Sequence, residues 1–419
     1  MKQLRLVLSI LALLLFVLIL PPVQSTLVRG AKLFWSVVQQ QQNPPQEVVF
    51  VPSAPTVTTA VSALPTNTLA PVAVATQLIE PTVEATAAPT TIPTPTAIPL
   101  PSSAAIDGVQ YQDQHGLWNY CGPSNLAMLL TYWGDETDRL EAGGFMRGTP
   151  ERYDDKNVSP SEMGHFVANH SELTIIVRHG GTFALLKRLI SAEIPVIIEA
   201  GYLPEGEAWM GHYLLLTGYD DAAQQFISQD TYIGVDTPYS YAYVDEHWRA
   251  FNNQFIVAVD QDNQAILMEA LGDWADEDWA LAQAKAVAEE EIGLFSAETP
   301  AHFYALFNLG TTLTAQEKYA EAATAFDRAF AAYAQLPTES RPWRMLWYQF
   351  KPYTAYYETG RYQDVINLAN TTLSTLSEPM LEESLYWRGL ARKALGDAAG
   401  AQADLDQVQR LNPNFVGFQ

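Results

Sequence analysis

Among the side chains that can attack a carbonyl through sulfur, the 419-residue chain holds one, Cys121. It stands in Tyr120-Cys121-Gly122-Pro123-Ser124, directly before the apolar run at 125–132. Gly122 permits a tight backbone entry and Pro123 is preorganised for a first helical turn, so a helix is expected to begin at the cysteine. Its free amides and dipole would favour thiolate over thiol and could also hold an oxyanion. A single cysteine excludes a disulfide framework within one chain.

A thiolate nucleophile needs a base, and the base needs an orienting group. The chain has seven histidines. His115 lies in a loop close to the cysteine, His165 and His170 belong to a polar helical stretch, and His179, His247 and His302 have no partner pattern. His212 differs. It opens an apolar strand that runs to Gly218 and Tyr219, turns through 220–223 and returns at 226–230. On such a hairpin Asp230 falls near His212, with Asp220, Asp221 and Asp236 as competing carboxylates.

The elements that must hold these residues follow from hydrophobic pattern. Short apolar or alternating runs at 195–199, 212–217, 226–230 and 255–259 read as strands, and 183–191 has amphipathic helical spacing. One early helix followed by mostly strands implies an α+β domain, the helix packed on an antiparallel sheet. Beyond Asp273 the pattern turns helical and Ala-rich. A self-similar unit recurs there, as Leu309-Gly310 with Tyr319, Ala322, Phe326 and Ala329, then Gly360 with Tyr362, then Gly389, Gly396, Ala401, Leu405 and Pro413. These spacings resemble the tetratricopeptide helix–turn–helix repeat.

Taken together, Cys121-Gly-Pro-Ser, Gly211-His212-Tyr, Gly218-Tyr219-Asp220 and Asp230, with Trp133-Gly134 between, resemble the peptidase family thirty-nine-like cysteine peptidases. These are relatives of the double-glycine leader peptidase domain of bacterial bacteriocin exporters. The resemblance implies a papain-like fold over 105–268, with Cys121 as nucleophile, His212 as general base and acid, and Asp230 orienting the imidazole. It also implies a glutamine upstream of the cysteine whose amide helps form the oxyanion hole. Gln114, seven residues upstream, is assigned that place, with Gln112 as the alternative. Nothing resembling an ATP-binding cassette follows, so double-glycine specificity is not carried over. Trp118 and Trp209 could wall a substrate cleft, although aromatics at such places are more often packing residues.

The remaining features bound the setting. Asp+Glu total 47 against 23 Lys+Arg, a formal charge of −24 that disfavours nucleic acid as a partner. Residues 1–25, a basic flank, an apolar run from Leu6 to Leu20 and then Pro21-Pro22, describe a signal peptide or an N-terminal membrane anchor. Residues 26–104 are a Pro/Thr-rich linker, and 273–419 form the all-α repeat domain. The expectation is an extracytoplasmic cysteine peptidase, secreted or anchored, acting on a peptide or protein with repeats for partner binding. No cofactor or metal is called for by any motif. A thioester-forming acyltransferase of transglutaminase type and an inactive binding scaffold are the alternatives.

Overall fold

The computed structural model describes residues 34–35, 38–39, 41–53, 99–117, 119–148, 156–202 and 208–418. The candidate signal or anchor at 1–25, most of the linker, and Trp118 lie outside them. The described residues up to Pro52 and from Leu100 onward make one compact unit.

A seven-stranded sheet organises the first part of this unit. Its strands are β1 (Ser103–Ala105), β2 (Thr174–Arg178), β3 (Val196–Tyr202), β4 (Met210–Asp220), β5 (Gln225–Asp230), β6 (Gly234–Ser240) and β7 (Phe255–Val259). They run in the order β2-β7-β3-β4-β5-β6, with β1 paired to β4, and every pairing is antiparallel. The alternation of a pleated strand decides what each face meets. Ile197, Tyr213, Leu215, Ile256 and Ala258 bury against α1 (Cys121–Tyr132), α2 (Arg139–Met146) and α3 (Pro160–His170). Their neighbours Val196, Ile198, Leu214, Leu216, Val257 and Val259 bury against α4 (Phe183–Ser191), α5 (Tyr241–Trp248) and α6 (Gln264–Leu271). Helices therefore cover both faces, where the sequence pattern anticipated one. The strand at 234–240 was not anticipated either: Gly-Val-Asp-Thr-Pro-Tyr-Ser lacks apolar alternation, and its proline suits an edge position.

The C-terminal part is helical from α7 (Glu277–Leu294) onward. Three helix–turn–helix pairs follow, α8 (Pro300–Ala315) with α9 (Tyr319–Gln335), α10 (Lys351–Glu358) with α11 (Tyr362–Ser374), and α12 (Glu382–Ala394) with α13 (Ala398–Leu411). Gly310 on α8 lies under the ring of Phe326 on α9, where an added Cβ would come within 2.7 Å. That close approach explains a glycine in the middle of a helix, where it otherwise costs about 1 kcal/mol.

Polar side chains join the helical part to the sheet part by satisfying backbone carbonyls. Asn308 donates to Arg249 O at 2.7 Å, Gln349 to Ala250 O at 2.8 Å, and Asn412 to Met146 O at 2.8 Å. Lys156, fully buried, pairs with Glu162 of α3 at 2.8 Å and with Glu383 of α12. Removing one partner of a buried ion pair leaves the other charge uncompensated, which costs more than the pair itself contributes. Lys156→Met should therefore lower unfolding free energy by about 3 kcal/mol in urea titrations at neutral pH. A change within experimental error would show that this contact does not join the two parts.

Candidate active site

The cysteine is seated by what surrounds it on both sides. Asn119 takes a left-handed backbone (φ 51°), and Tyr120 is wholly buried with its ring against Gly143. Cys121 is then the first residue of α1, and no side chain caps that terminus. One turn later Asn125, also wholly buried, donates to Cys121 O and to Tyr213 O, each at 2.9 Å. That double contact fastens the helix start to β4, the strand that carries His212. Gly122 packs against Met163 and Val158, leaving the helix entry tight against α3.

His212 lies near the start of β4, opposite Ala200 of β3. Its Nε2 meets Asp230 Oδ1 at 3.0 Å. The hairpin reading placed these residues on adjacent strands. Leu215 faces Gln229, so Asp230 reaches His212 diagonally rather than from directly across. Asp230 is only 1% exposed, and both of its oxygens accept hydrogen bonds. Oδ1 also accepts from the amides of Tyr232 at 2.7 Å and Ile233 at 3.0 Å, and Oδ2 accepts from the Tyr239 hydroxyl. Burial pushes the carboxyl toward neutrality, but the His212 contact and these donors outweigh it and hold Asp230 far below the usual carboxylate range.

With Nε2 engaged by Asp230, the imidazole keeps its other nitrogen available, and the Cys121 thiol lies close enough for the two groups to shift one another's ionisation. Burial opposes ionisation of the thiol. The neighbouring His212 nevertheless brings the thiol pKa below the ordinary value, helped by the Tyr213 and Gly122 amides. The imidazole shows the complement: burial pulls it down, while Asp230 and Cys121 push it up to about 10. The arrangement favours a thiolate–imidazolium pair.

Gln114 is tied twice to the residue after Asp230. Its amide donates to Thr231 O at 2.8 Å, and its Oε1 accepts from Thr231 Oγ1 at 2.7 Å. That leaves Nε2 as the end with hydrogens to offer. Gln114, His212 and Asp230 line one cavity of about 770 Å³. Gln112 turns elsewhere, its Oε1 accepting the Arg139 amide at the start of α2 at 2.9 Å.

The competing groups are occupied away from this cluster. Asp220 accepts from the Ala222 and Ala223 amides, Asp221 pairs with Lys187 and Tyr241, and Asp236 accepts from Gln229. Among the histidines, His165 and His170 pack around Phe145, His247 packs on Tyr243, and His302 meets Phe295 O. Trp209 is buried flat against Phe251 and packs rather than lining the cavity. Among the described residues, no group of three or more His, Cys, Asp or Glu is placed to hold a metal ion.

Two contributions to the site escaped sequence reasoning. Tyr239 reaches Asp230 because β6 folds back on β5, a register that no local motif encodes. Arg344, Trp347 and Tyr348, from the segment between α9 and α10, line the same cavity as His212. They lie more than a hundred residues beyond His212 in a region that reads as a separate helical domain.

Comparison with known proteins bears on this geometry. Residues 106–261 match the model of the Peptidase_C39 like family. The C39-like domain thus contains Cys121, His212, Asp230 and Gln114, and ends before the helical part. Among solved structures, a crystal structure of a candidate C39-like peptidase from Bacillus anthracis is similar at a TM-score of 0.32 with 16% identity. It covers 38% of this chain and 98% of that one. No curated protein matches the chain.

The ion pair predicts a particular pH profile. Because the imidazolium of His212 stabilises the thiolate, iodoacetamide should label Cys121 rapidly at pH values where an ordinary thiol is still protonated. In His212→Ala only burial and the amides remain, so labelling at neutral pH should fall by about tenfold or more and recover only at alkaline pH. Asp230→Asn should move the onset of labelling to higher pH, since the carboxylate keeps the imidazole protonated and so stabilises the thiolate. A wild-type profile that simply follows an ordinary thiol titration would show that the pair does not form.

Proposed function

We propose that this chain is a cysteine peptidase acting outside the cytoplasm, its C39-like domain cutting peptide bonds through Cys121, His212 and Asp230. The observation that supports this most is the buried hydrogen bond from His212 to Asp230, with the Cys121 thiol near enough to the imidazole for each to shift the other's ionisation, beside a cavity lined by Gln114, His212 and Asp230. In the first step the Cys121 thiolate attacks the scissile carbonyl carbon. Negative charge moves to its oxygen, within the field of the Gln114 Nε2 hydrogens and the α1 amides. Collapse of the tetrahedral adduct breaks the C–N bond, and His212 gives its proton to the departing amine. The enzyme then carries a thioester. Neutral His212 takes a proton from water, hydroxide attacks the thioester, and the acid product leaves with the thiolate restored. Asp230 stays ionised throughout and holds the ring so that the nitrogen facing Cys121 does the proton transfer.

In this reading the three helix pairs are tetratricopeptide-like repeats that bind a peptide or protein partner. Gly310 under Phe326 and Gly389 against Leu405 are the small-to-large contacts such pairs require. The basic and apolar N-terminal segment exports the chain and either stays as an anchor or is removed. The Pro/Thr-rich stretch then serves as a spacer.

The test is a peptide-library digestion read by mass spectrometry, with and without an added primary amine. Wild-type protein should release free acids, and Cys121→Ala should release none. Gln114→Ala should lower kcat about a hundredfold with KM nearly unchanged, as expected for a group that acts on the oxyanion. If amine-capped acyl products dominate whenever an amine is present, the chain is an acyltransferase and the peptidase reading is wrong.

A further inference from the structure

Residues 44–52 form an extended arm with no helix or strand. Among the described residues, no backbone–backbone hydrogen bond holds this stretch. Two side chains fix it to the helical part. Phe50, 5% exposed, packs edge-on against Phe330 of α9 at 5.0 Å between ring centres and lies 6.4 Å from Tyr356 of α10. Glu47 accepts a hydrogen bond from Tyr333 at 2.8 Å and faces Arg341 at 3.1 Å. The residues between and beyond point outward: Val48, Val49 and Val51 are all exposed. One buried aromatic and one paired carboxylate are anchors of the kind by which a groove also holds an extended peptide.

Two further observations give this groove a role. A void of about 30 Å³ remains beside Val48 and Phe50, walled by Trp343, Met345 and Trp347, so the groove is wider than its resident. Two residues before Glu47, Pro45 lines the catalytic cavity together with His212, Arg344 and Tyr348. The chain's own arm therefore borders both the groove and the catalytic cavity, and Trp347 lines the two of them.

We propose that this groove is an exosite for protein substrates, which bind through an extended segment carrying an acidic residue and an aromatic three positions later. The arm holds the place of such a substrate. The acid pairs with Arg341 and Tyr333, the aromatic enters between Phe330 and Tyr356, and the substrate residues before the acid are delivered toward Cys121. This deepens the peptidase reading by assigning its substrate class and rests on that reading for its purpose, though the binding itself does not depend on catalysis. Because the arm is part of the same chain, its effective concentration is on the order of millimolar, so it competes with an incoming segment.

The experiment uses the full chain carrying Cys121→Ser, so that binding is read with no chemistry. The probe is a fluorescein-labelled peptide with the sequence of residues 46–53, followed by anisotropy. With the native arm binding should be weak. With Glu47→Ala and Phe50→Ala in the arm it should tighten at least tenfold, and adding Arg341→Ala should undo most of that gain. A peptide lacking its own Glu and Phe should not bind. Should the double arm variant fail to fold, Val51→Cys in the Cys121→Ser chain gives a single thiol for a fluorophore on an otherwise native arm. Millimolar unlabelled peptide should then release the arm and lower the label's anisotropy. If the folded arm variant gains no affinity, or saturating peptide leaves the arm label unmoved, the arm is only a strap of the fold and the proposal fails. Failure of library digestion with intact peptide binding would instead sink the peptidase reading and leave the groove standing.

Discussion

The site depends on one contact, the buried meeting of His212 with Asp230. A protonated imidazole in the interior is unfavourable by itself, because burial disfavours charge. It is retained here because Asp230, held ionised by His212 itself, also accepts from a tyrosine hydroxyl and two backbone amides. The carboxylate thus secures the imidazolium, and the imidazolium secures the thiolate. Each link compensates the desolvation of the next. The turn at 230–233 and the return of β6 serve this contact more directly than they serve the hydrophobic core, which explains a strand that is mostly exposed and still ordered.

Much of this was legible in the sequence. Cys121-Gly-Pro ahead of an apolar run identifies a helix that begins at a thiol, because few other combinations of residues provide both a sharp entry and a preset first turn. The strand from His212 and the return to Asp230 could be read from alternation and a polar turn, to within the diagonal offset that register alone decides. What could not be read depends on distance along the chain. Tyr239 needs a third strand whose residues carry no apolar alternation. Trp347 and Tyr348 need the helical part to fold back across the sheet, and side chains such as Gln349 and Asn308, which enforce that return, resemble ordinary surface residues in sequence.

The helical part illustrates how a repeat pattern can be legible while its placement is not. Glycines and aromatics at fixed offsets describe how α8 meets α9 and how α12 meets α13, since those contacts are local. Nothing in the pattern says that the segment joining α9 and α10 will stand over a histidine in another part of the chain. Lys156 carries the same lesson in the opposite direction. It is a charged residue in a polar stretch, yet it is buried between carboxylates contributed by both parts.

That shared wall has a consequence for how the molecule comes into being. Synthesis runs from the N-terminus, so Cys121, His212 and Asp230 all emerge before Arg344, Trp347 and Tyr348. A nascent chain therefore holds Cys121, His212 and Asp230 well before it holds the residues that complete the wall of the cavity beside His212. The order of elements along the gene makes that wall the last part of the cavity to form.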